Sequence, residues 1–258
     1  MDKKQPIGVF DSGLGGISVL RALRTLLPKE NYLYFGDSAN APYGVKEEEE
    51  IRALSFQVAE KLVAQGVKAI VIACNTITSV AVTALREKYV DLIIVGTEPA
   101  VKPAVAFRPQ GKVLVMATTA TLQGSRFHDL VRRWQGEATI ISCPCPGLME
   151  FVERGDTQSQ ELRDYLTERI DDVQAWDADS VVLGCTHYPF VQEMIQSLMG
   201  EKTRIFDGAP GIARQVERRL AAASLLNDGE EPGEICWQNS SSDTRLFDLG
   251  KKLLMLKS

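Results

Sequence analysis

The chain reads as an α/β protein of two similar domains, each a mostly parallel sheet flanked by helices, with the active site in the cleft between them. Three observations predict this. Short β-branched runs alternate with helical patterns along the whole length, as in parallel sheets with crossover helices. The stretch Ala69-Ile70-Val71-Ile72-Ala73-Cys74-Asn75-Thr76 is written again as Ser180-Val181-Val182-Leu183-Gly184-Cys185-Thr186-His187, so a buried-type strand twice delivers a cysteine at its carboxyl end. A strand–turn–helix unit at Ile7 is echoed at Val113, and a cysteine follows each at similar distance: 63 residues from Asp11 to Cys74, 67 from Thr118 to Cys185.

In order, residues 7–10 form the first strand and 17–27 a helix stopped by Pro28. Between them lies Asp11-Ser12-Gly13-Leu14-Gly15-Gly16, which offers backbone N–H groups and a positive helix end to an anion. The glycine spacing of a Rossmann or Walker loop is missing, so a carboxylate suits it as well as a phosphate, and a plain glycine-eased turn is the equal alternative. Residues 32–35 form a strand that opens into the turn-rich loop 36–44, at the sheet end that carries function. A helix over 46–65 places Ile51, Leu54, Val58 and Leu62 on one face, with Gly66 to end it and Glu47 to Glu50 as a solvated first turn.

The Cys74 strand precedes a helix to about Lys88, a strand over 92–95, a crossover at Gly96-Thr97-Glu98-Pro99 and a short helix over 100–107. The second half follows: strand 113–117, a polar turn at 118–121, helix 123–134, strand 138–143, helix 148–155 with Glu150 and Glu153, and helix 160–175. After the Cys185 strand come helix 190–199, strand 203–206, helix 212–226, a short strand around Ile235 and a last helix through Leu246, Leu249 and Leu253.

Composition narrows the function. Hydrophobic content of 45% and charged content of 24% are those of a soluble globular protein. A net charge of −5 argues against nucleic acid or an anionic membrane as partner. No apolar run is long enough to span a bilayer, and the start leads into a strand without a signal region, so a cytoplasmic location is expected. Five cysteines, an odd number, fit a reducing compartment, and none makes the paired Cys-x-x-Cys spacing of a structural zinc site, so no metal is expected. Cys143, Cys145 and Cys236 read as small buried hydrophobes. The shared setting of Cys74 and Cys185 lifts those two above that reading.

Ligands of open α/β sheets sit outside the carboxyl ends of the strands, where both thiols are delivered. Two thiols facing one cleft, without a metal set or a cofactor loop, predict acid–base work on the two faces of one carbon and no cofactor. A helix follows each cysteine, and a helix N-terminus lowers a thiol pKa. Asn75, Thr76, Thr118 and Thr186 are uncharged groups able to hold a carboxylate or to cap helices. His187 can orient or protonate beside Cys185, whereas His128 lies within a helix and reads as structural. Asp11 and Glu153 can each tune a thiol by charge, and Glu153 serves equally well as a surface helix residue. Two rival readings are a two-lobed amino-acid-binding protein without chemistry and a Cys74–Cys185 redox pair.

The motifs Asp11-Ser12-Gly13-Leu14-Gly15-Gly16, Ala41-Pro42-Tyr43-Gly44, Ala73-Cys74-Asn75-Thr76, Thr118 with Thr121, and Gly184-Cys185-Thr186-His187-Tyr188-Pro189, in this order, resemble the glutamate racemases of the aspartate/glutamate racemase family. The resemblance runs from about Ile7 to Gly211 and departs at Cys143-Pro144-Cys145-Pro146-Gly147. It implies cofactor-independent interconversion of L- and D-glutamate, supplying D-glutamate for bacterial peptidoglycan, with Cys74 and Cys185 as catalytic pair. It also implies Asp11 as helper near one thiol, Glu153 and His187 near the other, and substrate contacts from Asp11, Ser12, Tyr43, Gly44, Asn75, Thr76, Thr118, Thr121, Thr186 and His187. Its fold implies a first domain of 1–97 with 208–258 and a second of 98–207. Family members of one lineage are commonly dimers, so a homodimer is one assembly the resemblance allows, while others depend on a cell-wall precursor as activator. An aspartate racemase, or a thiol-using isomerase or decarboxylase of the same superfold, is the nearest rival.

Overall fold

A computed structural model describes residues 2–256 of the chain. The first half runs β1 (Ile7–Asp11), α1 (Ile17–Leu26), β2 (Tyr32–Gly36), α2 (Glu48–Ala64), β3 (Ala69–Ile72), α3 (Asn75–Lys88), β4 (Ile93–Gly96) and α4 (Val101–Phe107). The second runs β5 (Lys112–Ala117), α5 (Thr119–Gln123), α6 (Ser125–Trp134), β6 (Thr139–Pro144), α7 (Leu148–Glu153), α8 (Gln160–Asp172), β7 (Ser180–Leu183), α9 (Gln192–Met199) and β8 (Arg204–Asp207). The chain then returns through α10 (Ala209–Ala222), β9 (Ile235–Asn239) and α11 (Arg245–Met255).

Two sheets result, in the orders β4-β3-β1-β2-β9 and β6-β5-β7-β8, with every strand pair parallel. Read from its other edge, the second is β8-β7-β5-β6, which matches β4-β3-β1-β2 strand for strand; β9 is the extra member. Strands β1, β2, β3 and β7 are buried at every residue, as parallel strands covered on both faces must be. The β-branched and leucine runs Ile70-Val71-Ile72 of β3 and Val181-Val182-Leu183 of β7 follow from that two-sided burial. On α1 the residues Ile17, Val19, Leu20 and Leu23 are buried, and α10 packs against this helix with Ile212, Val216 and Leu220 inward. Each such side chain stabilises the fold by about 1.5–3 kcal/mol, so the returning segment is held firmly to the first sheet.

The repeat can be read to the residue. Ala73 N–H donates to Phe10 O and Gly184 N–H to Met116 O, both at 2.7 Å. Asp37 N–H donates to Asp11 O and Cys145 N–H to Ala117 O, both at 2.9 Å. Cys74 and Cys185 therefore occupy equivalent positions, each two residues beyond its strand. Asp11 is equivalent to Ala117 and Ser12 to Thr118, one residue away from the sequence pairing of Asp11 with Thr118.

Three local expectations differ from the structure. The polar turn at 118–121 is mostly the short helix α5, which Thr118 caps by accepting from Thr121 N–H (3.2 Å) before Gly124 breaks into α6. No α-helix starts directly after Cys185; a 3-10 turn over Tyr188–Val191 intervenes before α9. Cys143 and Cys145 are buried, but Cys236 is exposed, because β9 is an edge strand bonded only to β2 and this residue lies on its open face.

Candidate active site

Cys74 stands in extended backbone (φ −137°, ψ 125°) immediately before the first turn of α3. Its Sγ lies 3.7 Å from Ser12 Oγ. Burial pushes the Cys74 thiol up to about 12; the charges of Asp11 and, more weakly, Cys185 add to this, and the N–H of Ile77 and the Ser12 hydroxyl oppose it without prevailing. The expectation that a helix end lowers this thiol is thus overturned: desolvation outweighs the helix. Asp11 is itself fully buried, with Oδ2 accepting from Gly13 N–H at 3.0 Å. Burial raises its pKa, against the pull of His187 and the backbone N–H groups of Gly16 and Gly13.

Around Cys185 the arrangement is different. Its Sγ is 3.7 Å from His187 Nδ1, and His187 Nε2 is 2.7 Å from Glu153 Oε1. Burial pulls the imidazole down, but its bonds to Cys185 and Glu153 outweigh that and hold its pKa well above the ordinary value. A protonated ring donates from Nδ1 to Cys185 and from Nε2 to Glu153. Gly15 N, 3.1 Å from Nε2, then meets no lone pair there and makes only a contact.

Glu153 reaches its place from α7, and its Oε1 also accepts from Leu14 N–H at 2.7 Å. The glycine-rich loop after β1 does hold a carboxylate, and that carboxylate belongs to the opposite lobe. The glycines follow from this docking. A Cβ at Gly13 would collide with the Glu153 carboxylate, and one at Gly15 with the His187 ring. Thr186 continues the seam, its Oγ1 donating to Asp11 Oδ1 (3.4 Å) while its carbonyl accepts from Ser18 Oγ (2.8 Å). Asp11, Ser12 and Cys74 thus join Cys185, Thr186, His187 and the half-buried Glu153 in one set.

A second cross-lobe set is built from hydroxyls. Thr76 Oγ1 lies 3.1 Å from Thr118 Oγ1, which donates to Thr121 Oγ1 at 2.9 Å. Gly44 abuts it, since a Cβ there would stand 3.2 Å from Thr118 Cβ. Asn75 links the sets: its buried Oδ1 has no hydrogen-bond partner, and with Cys185 and Thr186 it borders a cavity of ≈ 10 Å³, space for about one water. Tyr43 is the exception, because its hydroxyl donates to Asp37 Oδ2 at 2.5 Å and is already engaged. Asp37, which also accepts from Asn40, was passed over in sequence; its signal was its place just beyond β2, at the carboxyl ends of the strands. His128 sits exposed on α6, away from both sets.

Fold and site define a two-lobed α/β protein that brings one buried cysteine from each lobe to a common seam. The family profile described as Asp/Glu/Hydantoin racemase matches residues 7–216. The chain is 47% identical over 255 residues to a glutamate racemase of Clostridium perfringens, covering 99% of this chain and 98% of that one. A crystal structure of glutamate racemase from Thermus thermophilus, in complex with β-chloro-D-alanine, has a TM-score of 0.82 at 36% identity, covering 98% of this chain and 94% of that one. One from Francisella tularensis, in complex with D-glutamate, has a TM-score of 0.85 at 27% identity over 99% and 95% of the two chains. The chain belongs to the Asp/Glu/Hydantoin racemase family, and these relatives within it are glutamate racemases.

Proposed function

We propose that the chain interconverts L- and D-glutamate without a cofactor, by proton transfer at Cα between Cys74 and Cys185. The observation that carries this is the equivalence of the two cysteines in facing, matched sheets. One sulfur removes the Cα proton as a base, leaving a carbanion, and the sulfur behind supplies a proton to the other face. The two environments set the starting roles. Cys74, beside Asp11 and with its pKa raised to about 12, begins as the acid. Cys185, beside the His187 imidazolium that Glu153 steadies, begins as the base; the reverse reaction exchanges these roles.

Asn75 Oδ1 is a free acceptor suited to the substrate ammonium group. The hydroxyls of Ser12, Thr76, Thr118, Thr121 and Thr186, with the Tyr43–Gly44 backbone, suit its two carboxylates. The small cavity beside Asn75, Cys185 and Thr186 reaches towards the crossover segments at Glu98 and Asp207. The crossovers after β4 and β8 are the natural hinge, dividing the chain into 1–97 with 208–258 and 98–207. D-Glutamate so formed would feed peptidoglycan synthesis in the cytoplasm, and a homodimer is the assembly to test for. Among the described residues no helix is long and apolar enough to cross a membrane.

The test is racemisation of L-glutamate in deuterated water by purified protein with no added cofactor, beside the same assay on L-aspartate. Deuterium at Cα of D-glutamate is the expected result, with aspartate the poorer substrate. Absence of Cα exchange would leave an amino-acid-binding protein, and faster turnover of aspartate would reassign the substrate.

A further inference from the structure

The motif Cys143-Pro144-Cys145-Pro146-Gly147 takes no part in the chemistry above. Cys143 lies near the end of β6, an edge strand, and Cys145 just beyond it. Residues two apart on a strand face the same side with Cα atoms about 6.6 Å apart, within the ~4.4–6.8 Å that a disulfide spans. The two sulfurs are 3.8 Å apart. Both thiols are buried on the core side of the strand, where Cys143 Sγ donates to Arg169 O (3.4 Å) on α8, while Ser142, Pro144, Pro146 and Gly147 around them are exposed. The pair is also polarised. The bond from Cys145 holds Cys143 below the ordinary thiol range against its burial, helped by the Arg169 cation, while the same bond and burial push Cys145 well up.

We propose that Cys143 and Cys145 form a redox-responsive dithiol that a hydroperoxide closes into a disulfide, and that closure slows turnover at the adjoining site. The Cys143 thiolate attacks the peroxide; an S–O bond forms, the O–O bond breaks, and the leaving oxygen departs as water or alcohol after taking a proton. Cys145 sulfur then attacks the sulfenic acid, forming the S–S bond and releasing water. The two thiols lose two electrons to the peroxide. Closure draws the sulfurs from 3.8 Å to about 2.05 Å, and Cys145 cannot follow without disturbing what it anchors. Its N–H donates to Ala117 O beside Thr118, its carbonyl accepts from Tyr188 OH (3.2 Å) next to His187, and the chain three residues on starts α7, which carries Glu153. The disulfide itself is independent of the racemase reading; only its effect on turnover rests on it.

The test treats the full chain with hydrogen peroxide, maps linkages by non-reducing peptide mass spectrometry, and measures glutamate racemisation before treatment, after it and after dithiothreitol. The expected result is a peptide containing both cysteines that has lost two hydrogens, and a several-fold fall in kcat/KM that dithiothreitol reverses. Cys145→Ser should lack both the linkage and the reversible fall. Exposed Cys236 serves as the dose reference: no Cys143–Cys145 linkage at doses that oxidise Cys236 overturns the proposal. A linkage that leaves kcat/KM unchanged overturns the switch. If the variant fails to fold, the mapped and reversible behaviour of the unmodified chain decides alone. A mapped linkage in protein that never turns over glutamate would sink the racemase reading and not the dithiol.

Discussion

The two cysteines occupy matching positions in matching sheets, yet their surroundings are opposite in charge. Cys74 faces a buried carboxyl and a serine hydroxyl, and its proton is hard to remove. Cys185 faces an imidazole held in its protonated form, which in turn leans on a glutamate. The repeat supplies the symmetry that two-faced chemistry on one carbon needs, and divergence of the flanking side chains supplies the asymmetry. Side chains of opposite charge beside the two sulfurs bias which of them starts with the proton.

Removing one thiol at a time is the strongest attack on this comparison. Cys74→Ala and Cys185→Ala should each lower racemisation by at least ~10³-fold, in the upper range for an acid–base group. Each should still exchange the Cα proton of one enantiomer only, without inversion, and the two variants should choose opposite enantiomers. NMR of Cα–H in deuterated water reads both, and normal racemisation by either variant would end the two-base scheme.

His187→Asn keeps much of the shape and removes the cation, so kcat should fall by ~10²-fold, while Ser12→Ala, beside the other sulfur, should cost less than about tenfold. Equal losses in stopped-assay kinetics would mean that the two sides do not differ as described. Asp11→Asn removes a negative charge near Cys74 and should bring that thiol below about 12, by roughly one unit, as read from the pH dependence of iodoacetamide alkylation. An unmoved profile would show that burial acts alone.

The smallest effect is on stability. The folded His187 pKa lies above its unfolded value of about 6.5, so the folded state binds the extra proton. Its stabilisation is complete below about pH 6.5 and is lost as pH rises through the elevated folded pKa. The groups facing the ring are Cys185, Glu153 and Asp11. Urea midpoints should therefore decline with pH above about 6.5 in the unmodified chain, and His187→Asn should flatten that decline. A parallel slope in both proteins would remove His187 as its source.

Much of this was legible from local pattern. Strands β3 and β7 could be located because a buried parallel strand must be apolar at successive positions, and Cys74 and Cys185 stand where those runs stop. The duplicated order of elements was visible for the same reason. Illegible were the one-residue shift that pairs Ser12 with Thr118, the 3-10 turn after Cys185 and the exposure of Cys236, which depend on register and on edge position. The glycine loop is the most instructive case. Its liking for a carboxylate was readable from its N–H groups, but nothing near it in sequence named Glu153, 139 residues from Leu14, as the guest.

By itself the sequence determined the α/β class, the repeat and the two strand-end sulfurs, because strand burial and helix periodicity are short-range and are written in neighbouring residues. The tertiary structure alone decided which charge stands beside which sulfur, that burial outweighs the helix end at Cys74, and that Glu153 and His187 cross to the first lobe. Those are effects of desolvation and of contacts between distant segments, whose sizes are set only when the two halves close on each other.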